Sequence, residues 1–268
     1  MEGLLAGKVA VITGAGSGVG RAAVKLWCEH GARVIAADIN ADNAEETLRL
    51  HGLGPDKVRP MACNVADPAQ VDAAVALAVS AFGRLDIIYN NAGITVSSNP
   101  ETRRLRELTD LPRDEMFRVE DVNINGVIHG CQSAIRQFRA QGSGGAIVNT
   151  ASVSGLIGYG GVLYGMTKAA VVGMTRTLAI EVADHGIRVN SVCPAGMLTN
   201  YGDLDPNSPH ADRILEGMGR AHPLGRAIDP ADTAAAAMFL ASDLAGNITG
   251  VNLPVDGGLT AGRKTGGG

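Results

Sequence analysis

The chain has 268 residues, of which 46% are hydrophobic and only 3% aromatic, and it carries a formal net charge of −4. That balance gives no overall attraction to nucleic acid or to an anionic membrane surface and favours small-molecule partners. The four cysteines (Cys28, Cys63, Cys131, Cys193) lie far apart without C-x-x-C or Cys/His clustering, so neither a disulfide framework nor a metal site is expected.

The start of the chain is unlike a signal peptide, and no apolar run reaches membrane-spanning length, so the sequence reads as soluble and cytoplasmic. In chain order, β-branched runs predict strands at 8–13, 33–38, 57–63, 85–90, 145–151, 187–193 and 250–256. Helix-length segments separate them. In one, Val71, Val75, Ala78 and Phe82 recur at helical period behind Asp67 and Pro68, a cap and first-position pair. Strand–helix alternation predicts right-handed βαβ units. The expected fold class is therefore α/β: a single Rossmann-type domain over 1–268, with a seven-stranded parallel, doubly wound sheet and helices on both faces. Segments 94–115 and 199–224 break the alternation and are read as substrate loops, and the tail from about 260 to 268 as flexible.

"VAVITGAGSGVGRAAV" places Gly14, Gly18 and Gly20 directly after the first strand and at the start of a helix. Glycines there let the backbone approach a pyrophosphate, while the helix presents free N–H groups and its positive end to the anion. This predicts a dinucleotide site. Asp38 ends the second strand, 18 residues after Gly20. A carboxylate there accepts hydrogen bonds from adenosine ribose hydroxyls and repels a 2′-phosphate, so NAD is expected rather than NADP. Neither Ala15 nor Ser17 in the turn is basic.

Two of the four tyrosines fall in "SVSGLIGYGGVLYGMTKAAV", residues 152–171. On a helix, i and i+4 share a face. Four residues after Tyr159 stands Leu163; four after Tyr164 stands Lys168, so Tyr164 alone is given an ammonium. A neighbouring ammonium and an oxidised nicotinamide both favour a phenolate, which lowers the phenol from its ordinary pKa near 10 toward the working range. Tyr164 would then take the proton of an alcohol as hydride leaves its carbon, and in reverse protonate a carbonyl oxygen.

"TGAGSGVG" (13–20), "NNAG" (90–93), "VNINGV" (122–127), "NTASVSG" (149–155), "YGMTK" (164–168) and "IRVNSVCPAGMLT" (187–199) occur in that order. Together they resemble the classical short-chain dehydrogenase/reductase (SDR) family, from Gly7 to "LPVDGG" at 253–258. The resemblance implies a catalytic tetrad. Ser152 polarises the substrate oxygen, Tyr164 is the general acid/base, Lys168 holds the nicotinamide ribose and depresses the phenol, and Asn123 holds a water that relays protons to Lys168. It implies cofactor contacts from Gly14, Ser17, Gly18, Val19, Gly20, Asp38, Ile39, Asn64, Val65, Asn91, Ala92, Gly93, Pro194, Gly196, Met197 and Thr199, besides Tyr164 and Lys168. Asn90 and Gly93 are placed near the adenine ribose, and Thr199 against the nicotinamide amide. It also implies a homotetramer, with helices around 113–140 and 160–184 at one interface and "LPVDGG" near another.

Three positions depart from the family's pattern. Asn64-Val65 stands for Asp-Val, leaving a carbonyl acceptor for the adenine amino group at lower charge. Pro194-Ala195 stands for Pro-Gly, which adds a methyl near the nicotinamide. Ser152 precedes Tyr164 by 12 residues, one fewer than usual; the loop at 156–163 is read as shortened, with Ser154 as the alternative donor. The expected pocket wall is Ile94, Val96, Leu156, Ile157, Tyr159, Met197, Leu198 and Tyr201, mostly apolar and without a carboxylate anchor. That fits a neutral, hydrophobic secondary alcohol. A 3-oxoacyl-[acyl-carrier-protein] reductase is the enzymatic alternative, which Asp38 disfavours; a nucleotide-sensing module is the non-enzymatic one. The six histidines share no ligand spacing, and Arg103, Arg104 and Arg106 read as a solvated helix face.

Overall fold

The structure, a computed structural model, describes residues 3–96, 106–202 and 204–262. Arg103 and Arg104, with the rest of 97–105 in the expected loop at 94–115, and the tail beyond 262 lie outside the described residues. The seven expected strands form within two residues of their predicted ends: β1 (Val9–Thr13), β2 (Arg33–Asp38), β3 (Val58–Ala62), β4 (Ile87–Asn90), β5 (Gly145–Thr150), β6 (Ile187–Pro194) and β7 (Asn252–Val255). They make one parallel sheet in the order β3-β2-β1-β4-β5-β6-β7.

Val9–Thr13 is buried along its whole length, as a strand covered on both faces must be. One face packs against α3 (Pro68–Phe82), α5 (Gly126–Gln141) and α6 (Val162–Glu181), the other against α1 (Gly18–Glu29) and α8 (Pro230–Ala241). Helix α3 shows how locally this is specified. Asp67 caps it by accepting the Ala69 N–H at 3.0 Å, Pro68 starts it, and Gly83 ends it at φ 87°. Its stripe, Val71, Val75, Ala78 and Phe82, is buried.

Two helices arise where loops were expected. Helix α4 (Arg113–Glu120) begins inside 94–115, and α7 (Ala211–Ala221) lies inside 199–224. Flanking Gly, Pro and Asn masked the second, whose "ADRILEGMGRA" is strongly amphipathic. Between α4 and α5, Asp121–Asn125 winds as a π-helical turn with helical backbone on both sides. The whole run from Arg113 to Gln141 is thus one helix carrying a widened turn at its middle.

Gly130 on α5 packs against Asn90 of β4 so closely that a Cβ would overlap Asn90 Oδ1. Gly130→Ala is expected to destabilise the fold by about 1–3 kcal/mol through overpacking, read as a lower midpoint in urea or thermal unfolding. An unchanged midpoint would show that the contact yields freely.

Candidate active site

A cavity of about 330 Å³ opens at the C-terminal ends of the strands. Its walls are the chain segments that leave β1 (Gly14, Ser17 to Val19), β4 (Asn91 to Gly93), β5 (Thr150 to Ser154) and β6 (Pro194 to Met197, Thr199). The sheet order reverses direction between β1 and β4, so the segments leaving these strands diverge and leave a crevice.

The glycine-rich turn is held from behind. Asp38 Oδ2 accepts the Gly16 N–H at 2.8 Å, Thr47 Oγ1 donates to the Ala15 carbonyl at 3.0 Å, and Arg21 donates to the Gly16 carbonyl. Gly20 packs so tightly beneath Gly14 that a Cβ would overlap the Gly14 carbonyl, and a Cβ on Gly14 itself would stand 2.9 Å from Ala92 Cα. Ser17 occupies the N-cap of α1 without a side-chain cap bond, and no acidic residue stands in the first turn. The donor end of α1 is therefore free of a competing anion of its own, and the backbone there is bare enough for a pyrophosphate to approach. These residues fit a dinucleotide.

Ile39 is exposed past the end of β2, and Asn64 Oδ1 accepts the Ala66 N–H at 3.1 Å. Val65 is buried against Gly126, and its carbonyl pairs with His129 Nδ1 at 2.9 Å. None of Gly20, Asp38, Ile39, Asn64 or Val65 borders the cavity itself. Asn90 departs from expectation: it is buried in the sheet, donating Nδ2 to Asn149 Oδ1 at 2.9 Å, and it fixes β4 to β5 rather than facing a ribose.

Opposite the turn, α6 carries Tyr164 and Lys168 on one face. Lys168 is 2% exposed; its Nζ donates to the Thr150 carbonyl at 2.9 Å and lies 5.7 Å from the Tyr164 ring centroid. Burial lowers Lys168 to a pKa of about 8. Desolvation holds the Tyr164 phenol above its ordinary value, outweighing the opposite pull of the Tyr201 and Ser152 hydroxyls. The expected lowering by Lys168 is thus not what dominates in the cofactor-free chain; desolvation is.

The short spacing before Tyr164 does not displace Ser152. Ser152 caps a 3-10 turn at Val153–Gly155, accepting the Ser154 N–H at 3.1 Å, and Gly160 and Gly161 then turn the chain at φ 78° and 85° into α6. Glycine is needed at both, because side chains disfavour that region. Ser154 also borders the cavity, with its Oγ against Gly160. The Ala195 methyl is taken up by packing with Val153 and Ile228.

Asn123 sits in the π-turn and works as a clamp: Oδ1 accepts the Ile94 N–H at 2.8 Å, while Nδ2 donates to the Ile94 carbonyl at 2.8 Å and to Thr167 Oγ1 at 3.1 Å. A Cβ on Gly93 would stand 3.3 Å from Lys168 Nζ and 3.4 Å from Asn123 Oδ1, so the two functional groups meet across that glycine.

Of the expected pocket wall, Tyr159, Met197 and Tyr201 border the cavity; Ile94, Val96, Leu156, Ile157 and Leu198 do not. Ile94 and Val96 pack instead with Val119 and Leu163. Sequence reasoning missed Thr95, Leu204 and Met218. Met218 comes from α7, and the apolar period of that helix was the one signal that could have found it. Among the described residues no group of acidic, Cys and His side chains could hold a metal ion, and no helix is long and apolar enough to cross a membrane.

A family profile described as enoyl-(acyl carrier protein) reductase matches residues 14–260. The chain is 39% identical over 264 residues to the 3beta-hydroxysteroid dehydrogenase 2 of Eggerthella lenta, covering 96% of each. It is 38% identical over 256 residues to the cyclohexanol dehydrogenase of an Acinetobacter species, covering 95% of each. A crystal structure of 3-ketoacyl-(acyl-carrier-protein) reductase from Brucella melitensis, complexed with NADH, has a TM-score of 0.83 at 35% identity, over 96% of this chain and 99% of that one. With the parallel sheet and the crevice at its reversal point, these matches make the chain a member of the short-chain dehydrogenase/reductase family of oxidoreductases.

Proposed function

We propose that the chain is an NAD-dependent oxidoreductase that interconverts a neutral, hydrophobic secondary alcohol and its ketone. The observation that carries this reading is the convergence of Ser152, Tyr164 and Lys168 on one cavity, with the Lys168 ammonium 5.7 Å from the phenol ring centroid and a remaining wall that includes Met197, Leu204 and Met218. A substrate held there is desolvated and offered hydroxyl donors, while the Lys168 ammonium on the same wall is engaged by the Thr150 carbonyl. Relatives named for a hydroxysteroid and for cyclohexanol support a neutral alcohol.

Bound against the glycine-rich turn, the nicotinamide cofactor supplies hydride in one direction and accepts it in the other. The chain's own residues do the rest. Ser152 donates to the substrate oxygen and polarises it. Tyr164 gives its proton to that oxygen in reduction and takes it back in oxidation. Lys168 holds the nicotinamide ribose and offsets the charge of the phenolate, and Asn123, locked onto Ile94, fixes a water path to Lys168. Thr199 holds the nicotinamide amide, with Pro194, Gly196 and Met197 beside it. Val19 and Asn91 to Gly93 shape the cofactor wall, and Ile39, Asn64 and Val65 the adenine end. The enzyme acts as a homotetramer in the cytoplasm, without nucleic-acid or membrane partners. The exposed apolar side chains Met166 and Ile180 on α6 suit such an assembly.

Asp38 carries the choice of NAD. Its carboxylate would repel a 2′-phosphate, and through Gly16 it also sets the turn. The test is NAD(H)- and NADP(H)-linked turnover across a panel of neutral secondary alcohols and ketones, with Asp38→Ala alongside. NAD-linked turnover of at least one alcohol is expected, and turnover of acyl-carrier ketones alone would favour the 3-oxoacyl reductase reading. In Asp38→Ala the KM for NAD should rise about tenfold or more, the loss of charged hydrogen bonds. NADP should lose less, since the repulsion goes with the charge; an unchanged NAD/NADP ratio would remove Asp38 from the choice.

A further inference from the structure

The glycine-rich turn divides into a buried part and an open part. Ala15 and Gly16 are buried, whereas Ser17, Gly18 and Val19 border the cavity. A buried loop has to find a partner for each of its backbone groups. Here all four groups of Ala15 and Gly16 have one. The Ala15 N–H donates to the Ala37 carbonyl of β2 at 3.1 Å, and the Gly16 N–H to Asp38 Oδ2 at 2.8 Å. The Ala15 carbonyl accepts from Thr47 Oγ1 at 3.0 Å, and the Gly16 carbonyl accepts from Arg21. The turn is therefore pinned by β2, by α1 and by the helix α2 (Ala41–Leu50) that carries Thr47.

Two of these four bonds depend on Thr47. It is fully buried, it does not border the cavity, and it lies in none of the motifs that carry the family resemblance. Besides donating to Ala15, its Oγ1 accepts from Arg21 Nε at 3.0 Å, which sets the guanidinium that holds Gly16. A hydroxyl has one hydrogen and two lone pairs, so both roles fit one side chain. Its hydrogen has a second carbonyl at 3.0 Å, that of Asn43 four residues earlier on α2. In an α-helix that carbonyl is already met by the Thr47 N–H. Among the described residues no second donor is bonded to the Ala15 carbonyl, so the hydroxyl matters most there.

We propose that Thr47 is a positioning residue for the dinucleotide: through Ala15 and Arg21 its hydroxyl holds the turn so that the open N–H groups after Gly16 converge on the pyrophosphate. The inference rests on the cavity taking a dinucleotide. A loop already held in its bound shape loses little freedom when the ligand arrives. Without the hydroxyl, the Ala15 carbonyl and Arg21 Nε each lose a partner, and the turn has to be ordered at the cost of binding. The effect falls on cofactor affinity and not on the chemical step, because Ser152, Tyr164 and Lys168 are carried by the segment after β5 and by α6, across the cavity from the turn.

The test compares Thr47→Val, which keeps the branched shape and removes the hydroxyl, with Thr47→Ser, which keeps the hydroxyl. Dissociation constants for NADH and for ADP-ribose are measured by calorimetry, well below each variant's unfolding midpoint. Both constants should rise about tenfold in Thr47→Val, the loss of a hydrogen bond with its partner left buried, and stay within about twofold of wild type in Thr47→Ser. The kcat at saturating cofactor should stay within about threefold in both. A Thr47→Val protein that melts earlier but binds both ligands as wild type does has lost only a structural contact, and this overturns the proposal. So does a Thr47→Ser protein that binds as poorly as Thr47→Val. Arg21→Met, which frees the Gly16 carbonyl and leaves Thr47 in place, repeats the comparison where Thr47→Val folds poorly; both constants should rise there too, and unchanged constants overturn the proposal. If the wild type binds neither NADH nor ADP-ribose, the dinucleotide reading itself fails and the proposal with it.

Discussion

Tyr164→Phe is expected to remove turnover in both directions, by about a thousandfold or more, the upper range of what a positioned acid/base supplies. The substitution deletes one oxygen from a half-buried ring and leaves the ring contact with Tyr201 and the Lys168 bond to Thr150 in place. Folding and cofactor binding should therefore survive, with an NADH dissociation constant within about twofold of wild type, since the acid/base serves the chemical step. The wild type should also show a directional pH dependence. Burial holds the Tyr164 phenol above its ordinary pKa, so Tyr164 is protonated and ready to act as an acid throughout the neutral range. Ketone reduction then gains no pH dependence from Tyr164 near neutrality, while alcohol oxidation, which needs the phenolate, climbs with pH. More than a few per cent of residual activity in Tyr164→Phe, at any pH, would remove Tyr164 from the reaction.

Lys168→Met is the second large effect, and it separates charge from fold. At 5.7 Å from the Tyr164 ring centroid, the ammonium is worth about 3 kcal/mol to a phenolate at an effective dielectric of about 20, or about a hundredfold in rate. Alcohol oxidation should fall by that factor, and a variant that keeps a third of its activity would show that the charge is not used.

Stability should respond differently. Burial takes Lys168 from the ordinary lysine value of 10.5 down to about 8 in the folded, cofactor-free chain. Between those values the unfolded chain binds the proton and the folded chain does not, so this group adds stability as pH rises from 8 toward 10.5, by about 3 kcal/mol in all. Below 8 both states carry the charge, and the folded state bears the full desolvation of a buried ammonium. Urea unfolding at a series of pH values should therefore show a wild-type stability that rises relative to Lys168→Met across that window. A constant difference would mean that Lys168 does not titrate there.

The sheet was legible because its inner strands are buried on both faces, so short β-branched runs stand out against polar turns. Asp67, Pro68 and Gly83 marked α3 through purely local chemistry. The Tyr164–Lys168 pair was legible for the same reason, since four residues on one helix fix two side chains without help from the rest of the fold. What stayed hidden depends on contacts between distant segments. Asn90 looks like a cofactor residue in "NNAG", but its partner is Asn149 on the next strand. Asn123 reads as a helix residue, and only the π-turn shows that it clamps Ile94 across 29 positions. Tyr201 lies in a loop whose path no local signal sets, so its reach to Tyr164 could not be counted from spacing. The short run between Ser152 and Tyr164 looked like a defect by count alone; Gly160 and Gly161, both at positive φ, supply the path that closes it.

The widened turn at Asp121–Asn125 has a bearing on descent. A helix that takes an extra residue into one turn holds a register that neither half could hold alone. Deleting Ile124 or Asn125 would let the turn relax to α-helix and swing Asn123 by about 100° relative to α5, off Ile94, while the buried face of α5 kept its place. Loops over the rim can lengthen and shorten as chains diverge. This stretch cannot, and relatives that keep the clamp should differ here by substitution and not by length.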